Sequence, residues 1–500
     1  MGQRALSGSL YYSAFRWVDR LMAAASSVLL ARWLAPEEFG LVALAMTAIS
    51  LLQSFSEMGF GAGVVQRADC DDQDYNVAWT YGRAVRGLVL FVLMLLLAPW
   101  IARFYEEPQL AAIVRVLAFD QLFVGFTNIG AYALLIKELD YRSDFLFSLS
   151  GRLVRLVVVI PLAFFWRNAW ALVAGSLAER ATRMVVSYYV HSYRPRFNFD
   201  LHRARRLLLF GGWLVGVQLV NTLRGVVDRT VLGRILGTTE MGYYQAGNAF
   251  GGQVPAEVKT VVSKVMFPVY SLMQEDRRRL ANSFRQVLSL VLFLSLPLSV
   301  GLVLTAEYFV ALVIGERWLP AIAIIHVLVM AGFVQVVTGT GRPLYRGTGR
   351  PKLELIVSAV ALVVTSILLV PLTKTMGATG TAYAVLAGNC SVLVLWWVFV
   401  RRITGLPVKD MIGTALPPVV ATALMTGAVL AVRGVTGDSI SWGAFVASVL
   451  AGAASYAVCL WLAWRILRVD SLERLIGQLL PYWNRLVSLL SRRVGREVPS

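Results

Sequence analysis

Arg224 and Asp228 stand four residues apart, with Arg229 beside the acid, inside a long apolar stretch. Near the start of the chain, Arg16, Asp19 and Arg20 repeat the combination at i, i+3 and i+4. On a helix these spacings put the groups on one face. A guanidinium is a planar fork of N–H donors that matches phosphate oxygens two at a time, so arginines gathered in this way suit an anionic, phosphate-bearing ligand. Lys259 and Lys264 follow Gly251-Gly252 and Pro255, which should bend or break a helix, and they add two point charges. The candidate binding set is therefore Arg16, Arg20, Arg224, Arg229, Lys259 and Lys264. Asp19 and Asp228 are candidates to carry a proton or Na+, their other use being to neutralise the neighbouring arginines.

Other chemistries are poorly served. Asp69-Cys70-Asp71-Asp72 has the Asp-x-Asp spacing by which some glycosyltransferases hold a metal and a nucleotide sugar, but it lies in a short loop with no accompanying nucleotide fold. No Gly-rich phosphate loop ending in Lys-Ser/Thr, His-Glu-x-x-His or Gly-x-Ser-x-Gly occurs. His191, His202 and His326 are scattered, and Cys70, Cys390 and Cys459 are too far apart in sequence to suggest a disulfide framework or a zinc cluster. The reading is of a protein that is not an enzyme and needs no cofactor beyond a coupling ion.

The elements that must position these charges are membrane helices. Of 500 residues 57% are hydrophobic and 15% charged, with a mean hydropathy of +0.66; soluble chains have roughly 45–50% and about 25%. A helical span needs roughly 20 mostly apolar residues. Such runs recur over 9–33, 39–65, 78–101, 110–136, 145–166, 170–191, 207–235, 241–269, 283–305, 318–341, 353–372, 377–400, 411–432 and 442–465. The fold class is all-α: a polytopic membrane protein of about fourteen transmembrane helices. Within such spans a charge costs roughly 2.5–3.5 kcal/mol on insertion scales, so it should face a bundle interior or a wet cavity.

The net charge of +18 would suggest nucleic acid in a soluble chain. Placed on the spans, the 47 Lys and Arg residues tell another story. The even-numbered loops and the two termini hold 31, the odd-numbered loops hold seven, and nine lie inside spans. By the positive-inside rule both termini face the cytoplasm. The nine are Arg16, Arg20, Arg115, Arg180, Arg183, Arg224, Arg229, Lys259 and Lys264; for Arg115, Arg180 and Arg183 the reading is pairing with Asp120 or Glu179. Residues 469–500 read as a basic amphipathic helix on the anionic inner leaflet.

One signature occurs twice. Leu30-Ala31-Arg32-Trp33-Leu34-Ala35-Pro36-Glu37-Glu38-Phe39-Gly40 returns 202 residues later as Leu232-Gly233-Arg234-Ile235-Leu236-Gly237-Thr238-Thr239-Glu240-Met241-Gly242. A looser echo links Ile160-Pro161-Leu162 and Ala171–Gly175 to Val370-Pro371-Leu372 and Ala384–Gly388. The unit is six helices, an even number, so both copies enter from the same side, as parallel repeats do. The expected organisation is an N-lobe over 1–200, a C-lobe over 201–404, two appended helices over 405–468 and the tail over 469–500. The charged faces of the first and seventh spans would then form opposing walls of one cavity.

These residues resemble the polysaccharide flippase family, within the superfamily that includes multidrug and toxin extrusion transporters. The similarity extends to Phe55-Ser56-Glu57-Met58-Gly59-Phe60-Gly61-Ala62-Gly63-Val64-Val65-Gln66-Arg67, Lys137-Glu138-Leu139-Asp140-Tyr141, Val265-Met266-Phe267-Pro268-Val269-Tyr270 and Gly315-Glu316-Arg317-Trp318. Met58 stands where the family commonly has Asp. The branch exporting colanic acid and other exopolysaccharides is the nearest in pattern. The resemblance implies a two-lobed, fourteen-helix flippase of the bacterial inner membrane that moves an undecaprenyl-diphosphate-linked oligosaccharide to the periplasmic leaflet by ion-coupled alternating access. Its partners would be membrane lipids, a polysaccharide polymerase and export machinery. A multidrug extruder, a peptidoglycan-precursor flippase and, less well, a membrane glycosyltransferase or polymerase are the alternatives.

Overall fold

Local signals start many of the helices. The computed structural model describes residues 22–56, 70–131, 140–437 and 440–467. After α1 (22–33), α2 (Pro36–Ser56) opens on a proline, whose fixed φ suits a first helical turn, followed by Glu37 and Glu38 at the positive end of the helix dipole. The first two turns of α3 (Asp72–Tyr105) are polar, yet they are helical, because Asp71 and Asp74 form a reciprocal capping box. α3 passes through one π-helical stretch at Thr80–Val85 and ends on Glu106 in the left-handed conformation. α4 (Gln109–Gly125) follows, then α5 (Tyr141–Trp166), capped by Asp140, and α6 (Ala169–Val190), capped by Asn168.

The run Leu201–Leu272 is two helices, α7 (201–236) and α8 (238–272), meeting at Gly237, whose φ of 77° only glycine adopts readily. Gly377, at φ 65°, likewise divides Lys352–Thr404 into α11 (352–376) and α12 (378–404). Between them lie α9 (Arg277–Ile314) and α10 (Ala321–Gly347), and α13 (Val408–Thr436) and α14 (Trp442–Leu467) close the order. These helices fall one for one on the expected spans, and the described residues contain no strand. Eight helical runs among them are long and apolar enough to cross a membrane by length and composition. α1, α4, α6, α7 and α8 are not among the eight: Glu179, Arg180 and Arg183 interrupt the apolar surface of α6, Arg224, Asp228, Arg229 and Arg234 that of α7, and α4 is a short 17 residues.

The described residues form two compact units, interleaved along the chain. The first gathers those of Met1–Ala249, Val313–Leu328 and Leu355–Ser391. Its core joins Leu44 of α2, Met94 of α3, Leu110 and Leu117 of α4, Leu232 of α7, Met241 and Tyr244 of α8, Ile324 of α10 and Ala382 of α12. The second holds the described parts of Phe250–Leu312, Val329–Glu354 and Val392–Ser500. There α13 and α14 fasten to α9: Arg433 pairs with Glu307, and the Tyr456 hydroxyl donates to the Phe293 carbonyl over 2.7 Å.

Within the first unit the two copies of the repeated signature meet. A Cβ on Gly40 would lie 1.8 Å from the Thr238 carbonyl oxygen, and one on Gly242 2.0 Å from that of Pro36. Thr239 Oγ1 donates to Glu37 Oε1 over 3.2 Å, a pair separated by the same 202 residues as the repeat. Trp318, from the Gly315–Trp318 motif, is buried beside this crossing. Its Nε1 donates to the Ala31 carbonyl over 2.8 Å, and its ring meets Phe39 edge-on.

Candidate functional site

α7 presents its polar side chains to three neighbouring helices. Asn221, Arg224 and Asp228 follow at i, i+3 and i+7, close to one helical stripe. Asn221 Oδ1 accepts from the Ser358 hydroxyl of α11 at 3.4 Å. The Arg224 guanidinium donates to Oδ1 of Asn389 on α12. Asp228 is 7% exposed; its carboxylate accepts from the Tyr244 hydroxyl of α8 and from the backbone N–H of Arg229 at 2.8 Å. Arg229 is half-buried, and its Nε has no hydrogen-bond partner among the described residues. All these groups belong to the first unit.

Three of the eight candidate residues, Arg224, Asp228 and Arg229, are thus adjacent on one helix. Arg16, Asp19 and Arg20 lie outside the described residues, so the opposing wall stays an expectation. Lys259 and Lys264 fall on α8 in the stretch assigned to the second unit, and only their backbone is described. The basic tail at 469–500 is likewise outside the described residues. Asn389 and Tyr244, the partners that seat Arg224 and Asp228, were not among the candidates. The available signal for Asn389 was an amide directly after the repeated Ala384–Gly388, in a span with no charged residue.

The other in-span arginines behave differently. Arg180 Nε pairs with Asp120 Oδ1 at 2.9 Å, and Arg183 with Glu179 Oε1 at 2.9 Å. Arg155 of α5 joins them through Glu179 Oε2 at 3.2 Å. Arg115 is exposed. A groove of about 450 Å³ between α4, α5 and α6 is lined by Val116, Trp166, Asn168, Trp170 and Val173; none of the candidate cations lines it.

The Asp-x-Asp loop has a structural use. Asp71 caps α3 through the Asp74 backbone N–H at 2.8 Å and binds Arg203 at 2.8 and 2.9 Å. The Asp74 N–H and then Arg203 hold the Asp71 carboxyl below the ordinary aspartate range. Arg203 also reaches Asp74 at 3.1 Å. The extended segment 192–200 is strapped to the same helix end: Asn76 Oδ1 accepts from the Tyr193 hydroxyl and from the Arg196 N–H, both at 2.7 Å. Burial, with Asp72 and Tyr75 adding to it, pushes the Tyr193 hydroxyl pKa upward.

The model of the polysaccharide biosynthesis protein family matches residues 29–323, more than half of the chain. The chain belongs to that family. It is similar to the lipopolysaccharide biosynthesis protein WzxC of Escherichia coli (strain K12), at 27% identity over 62% of this chain and 63% of the relative. It is also similar to the succinoglycan biosynthesis transport protein ExoT of Rhizobium meliloti (strain 1021), at 26% identity over 75% and 73%. The chain therefore spans less than two thirds of the length of the WzxC relative. The solved lipid II flippase MurJ, in its inward closed conformation, superposes with a TM-score of 0.73 at 17% identity, covering 92% of this chain and 99% of that one. The all-α, multi-pass membrane fold expected from the sequence is the fold the chain has.

Proposed function

We propose that the chain is a flippase that moves an undecaprenyl-diphosphate-linked oligosaccharide repeat unit from the cytoplasmic to the periplasmic leaflet for exopolysaccharide or lipopolysaccharide synthesis. The observation that carries the reading is the α7 stripe, where Arg224 and Arg229 lie beside Asp228 in a long, largely apolar helix and Arg224 donates to an amide. A diphosphate brings about two negative charges into an apolar environment, and fixed guanidinium forks are the side chains best shaped to take them. Arg16, Arg20, Lys259 and Lys264 complete the headgroup contacts. Asp19 and Asp228 carry the coupling ion, H+ or Na+. The names of the WzxC and ExoT relatives, one a lipopolysaccharide biosynthesis protein and the other a succinoglycan transport protein, support the same substrate class.

In this reading the protein sits in the bacterial inner membrane with both termini cytoplasmic, as the distribution of Lys and Arg supports. The lobes at 1–200 and 201–404 rock about the site in alternating access, and the product passes to a polysaccharide polymerase and the export machinery. Deleting the protein should leave lipid-linked repeat units in the cytoplasmic leaflet, shielded from a membrane-impermeant reagent added from the periplasmic side. Repeat units labelled at the undeleted level would sink the proposal.

A further inference from the structure

Phe197, Phe199 and Leu201 are 59, 61 and 73% exposed, a run of apolar side chains where the strap passes into α7. Side chains alternate along an extended backbone, and Asn198, between the two phenylalanines, takes the other side. Its N–H donates to Thr80 Oγ1 at 3.0 Å and its Nδ2 to Gln73 Oε1 at 2.7 Å. One side of the strap is thus hydrogen-bonded to the start of α3. The other presents two phenyl rings parallel to within 4°, their centroids 6.1 Å apart. Arg194, Arg196 and Arg205, all exposed, flank the rings, whereas Arg203 is held by Asp71 and Asp74.

The rings rest on aromatic residues of α3. Phe197 meets Trp79 at 5.0 Å, Phe199 meets Tyr81 edge-on at 6.0 Å, and the Tyr81 hydroxyl donates to the Phe199 carbonyl at 3.0 Å. Further along α3, Leu88, Val92, Leu96 and Trp100 form an exposed apolar stripe at steps of four. Tyr81 stands 19 residues before Trp100, about 28 Å of helix, close to the roughly 30 Å of a bilayer's hydrocarbon core. Trp and Tyr collect at the two edges of that core, so the spacing suits Trp100 to one edge and Tyr81, with the rings against it, to the other. The distribution of Lys and Arg assigns the Tyr81 edge to the cytoplasmic side, where the leaflet is anionic.

We propose that the strap is a membrane foot: Phe197, Phe199 and Leu201 enter the boundary between headgroups and acyl chains of the inner leaflet, and Arg194, Arg196 and Arg205 meet the phosphates of anionic lipid. An apolar patch flanked by basic residues is the pattern of an interfacial anchor. The tail at 469–500 is itself basic and is therefore a poor electrostatic match for the patch. Because the strap leads directly into α7, the foot ties the helix that carries Arg224 and Asp228 to the lipid surface.

The test places a nitroxide at position 197, 199 or 201 of the full-length protein after Cys70→Ser, Cys390→Ser and Cys459→Ser, in phosphatidylcholine vesicles with or without phosphatidylglycerol. Accessibility to oxygen, which concentrates in lipid, is compared with accessibility to a water-soluble nickel chelate. With phosphatidylglycerol present, all three positions should favour oxygen, and a nitroxide at Gln274, exposed in the turn between α8 and α9, should favour nickel. A nickel preference at 197, 199 and 201 equal to that at Gln274 would overturn the foot and leave a patch open to water, as docking of a soluble protein needs. When Arg194→Gln, Arg196→Gln and Arg205→Gln are combined, each arginine lost should shift the balance between inserted and water-exposed label about fivefold toward water in the anionic vesicles. Without phosphatidylglycerol the unmodified protein should behave as this triple variant does. Labels that insert equally in both lipids and in the triple variant would overturn the arginines' role on anionic lipid. The melting temperature in detergent, where there is no leaflet, should be unchanged. If the triple variant melts lower, Arg196→Gln with Arg205→Gln carries the test, since it leaves Arg194 donating to the His191 and Tyr193 carbonyls.

Discussion

Gly40 and Gly242 occupy the same place in the two copies of the repeated signature, and each lies against the other copy's backbone. Gly40 abuts Thr238, and Gly242 abuts Pro36, which precedes Thr238 by the 202 residues that separate the glycines. Contact of i with j′ and of i′ with j is the pattern of an isologous, twofold interface. Here it lies inside one chain, where the first turns of α2 and α8 cross. No side chain fits the crossing, which explains in steric terms why both copies of the signature end on glycine.

Gly40→Ala and Gly242→Ala should each destabilise the protein by about 1–3 kcal/mol, the range for forcing a methyl group into a filled space. Both widen one crossing, so the double variant should lose less than the sum. Gly427→Ala on α13, where an added Cβ meets nothing within 4 Å, should be neutral or slightly stabilising. Melting temperatures in detergent check all four proteins, and additive losses at Gly40 and Gly242 would contradict a shared contact.

Much of this was legible in the sequence, and the reasons are specific. The apolar runs located the helices because hydropathy and length constrain a span strongly. Their ends were less visible: α3 starts six residues before its apolar run because the Asp71–Asp74 capping box, not hydropathy, begins it. The repeat was readable as an offset, but the contact between its two copies arises only from how α2 packs against α8. Charged candidates stood out in the spans, whereas Asn389 did not. An amide carries no charge signal, and its partner is 165 residues away. The pairing of Arg183 with Glu179 followed from their i, i+4 spacing; the pairing of Arg180 with Asp120 depends on how α6 packs against α4, and the added grip of Arg155 on Glu179 on how α5 packs against α6.

Glu179→Gln should be costly to the fold. It leaves Arg155 and Arg183 facing an amide where both now share a carboxylate whose side chain is 12% exposed. Breaking a buried pair from one side costs about 3–5 kcal/mol, and the partial exposure of Arg155 trims this to about 2–3 kcal/mol. Arg115→Ala, at an exposed position, should stay within about 0.5 kcal/mol. Thermal unfolding compares them; an unchanged melting temperature for Glu179→Gln would show that the network contributes little.

Acid should loosen the strap at 192–200 in a defined direction. The Asp71 carboxyl is held low by the Asp74 N–H and by Arg203, and that of Asp200 by the Arg203 and His202 N–H groups. A carboxyl whose pKa is lowered in the fold contributes stability above its unfolded value, about 3.9, and loses it as pH falls through the folded value. The carboxylates' share of the clamp should therefore be constant above about pH 5 and lost below about 4. Trp79 packs on Phe197 of the strap, with ring centroids 5.0 Å apart, so tryptophan fluorescence and hydrogen exchange over 192–200 follow the opening. Asp71→Asn should reduce the acid response, and an unaltered response would assign it elsewhere.

Tyr244→Phe removes the hydroxyl that donates to the buried Asp228 carboxylate and leaves that group one hydrogen bond short. An unsatisfied buried acceptor costs about 1–3 kcal/mol, more when it is charged. Asp228→Asn removes the charge that makes the loss expensive, so Tyr244→Phe should cost less on that background. The coupling between the two positions should come to about 0.5–3 kcal/mol in a double-variant cycle. The same cycle read through polysaccharide export separates roles. If Asp228 carries the coupling ion, Asp228→Asn abolishes the response of transport to the ion gradient whether residue 244 is Tyr or Phe, while Tyr244→Phe alone changes the ion concentration at which transport is half-maximal. A carboxylate that only supports Arg224 and Arg229 would let both variants lower export without altering its dependence on the gradient, and that outcome would move the ion site away from α7.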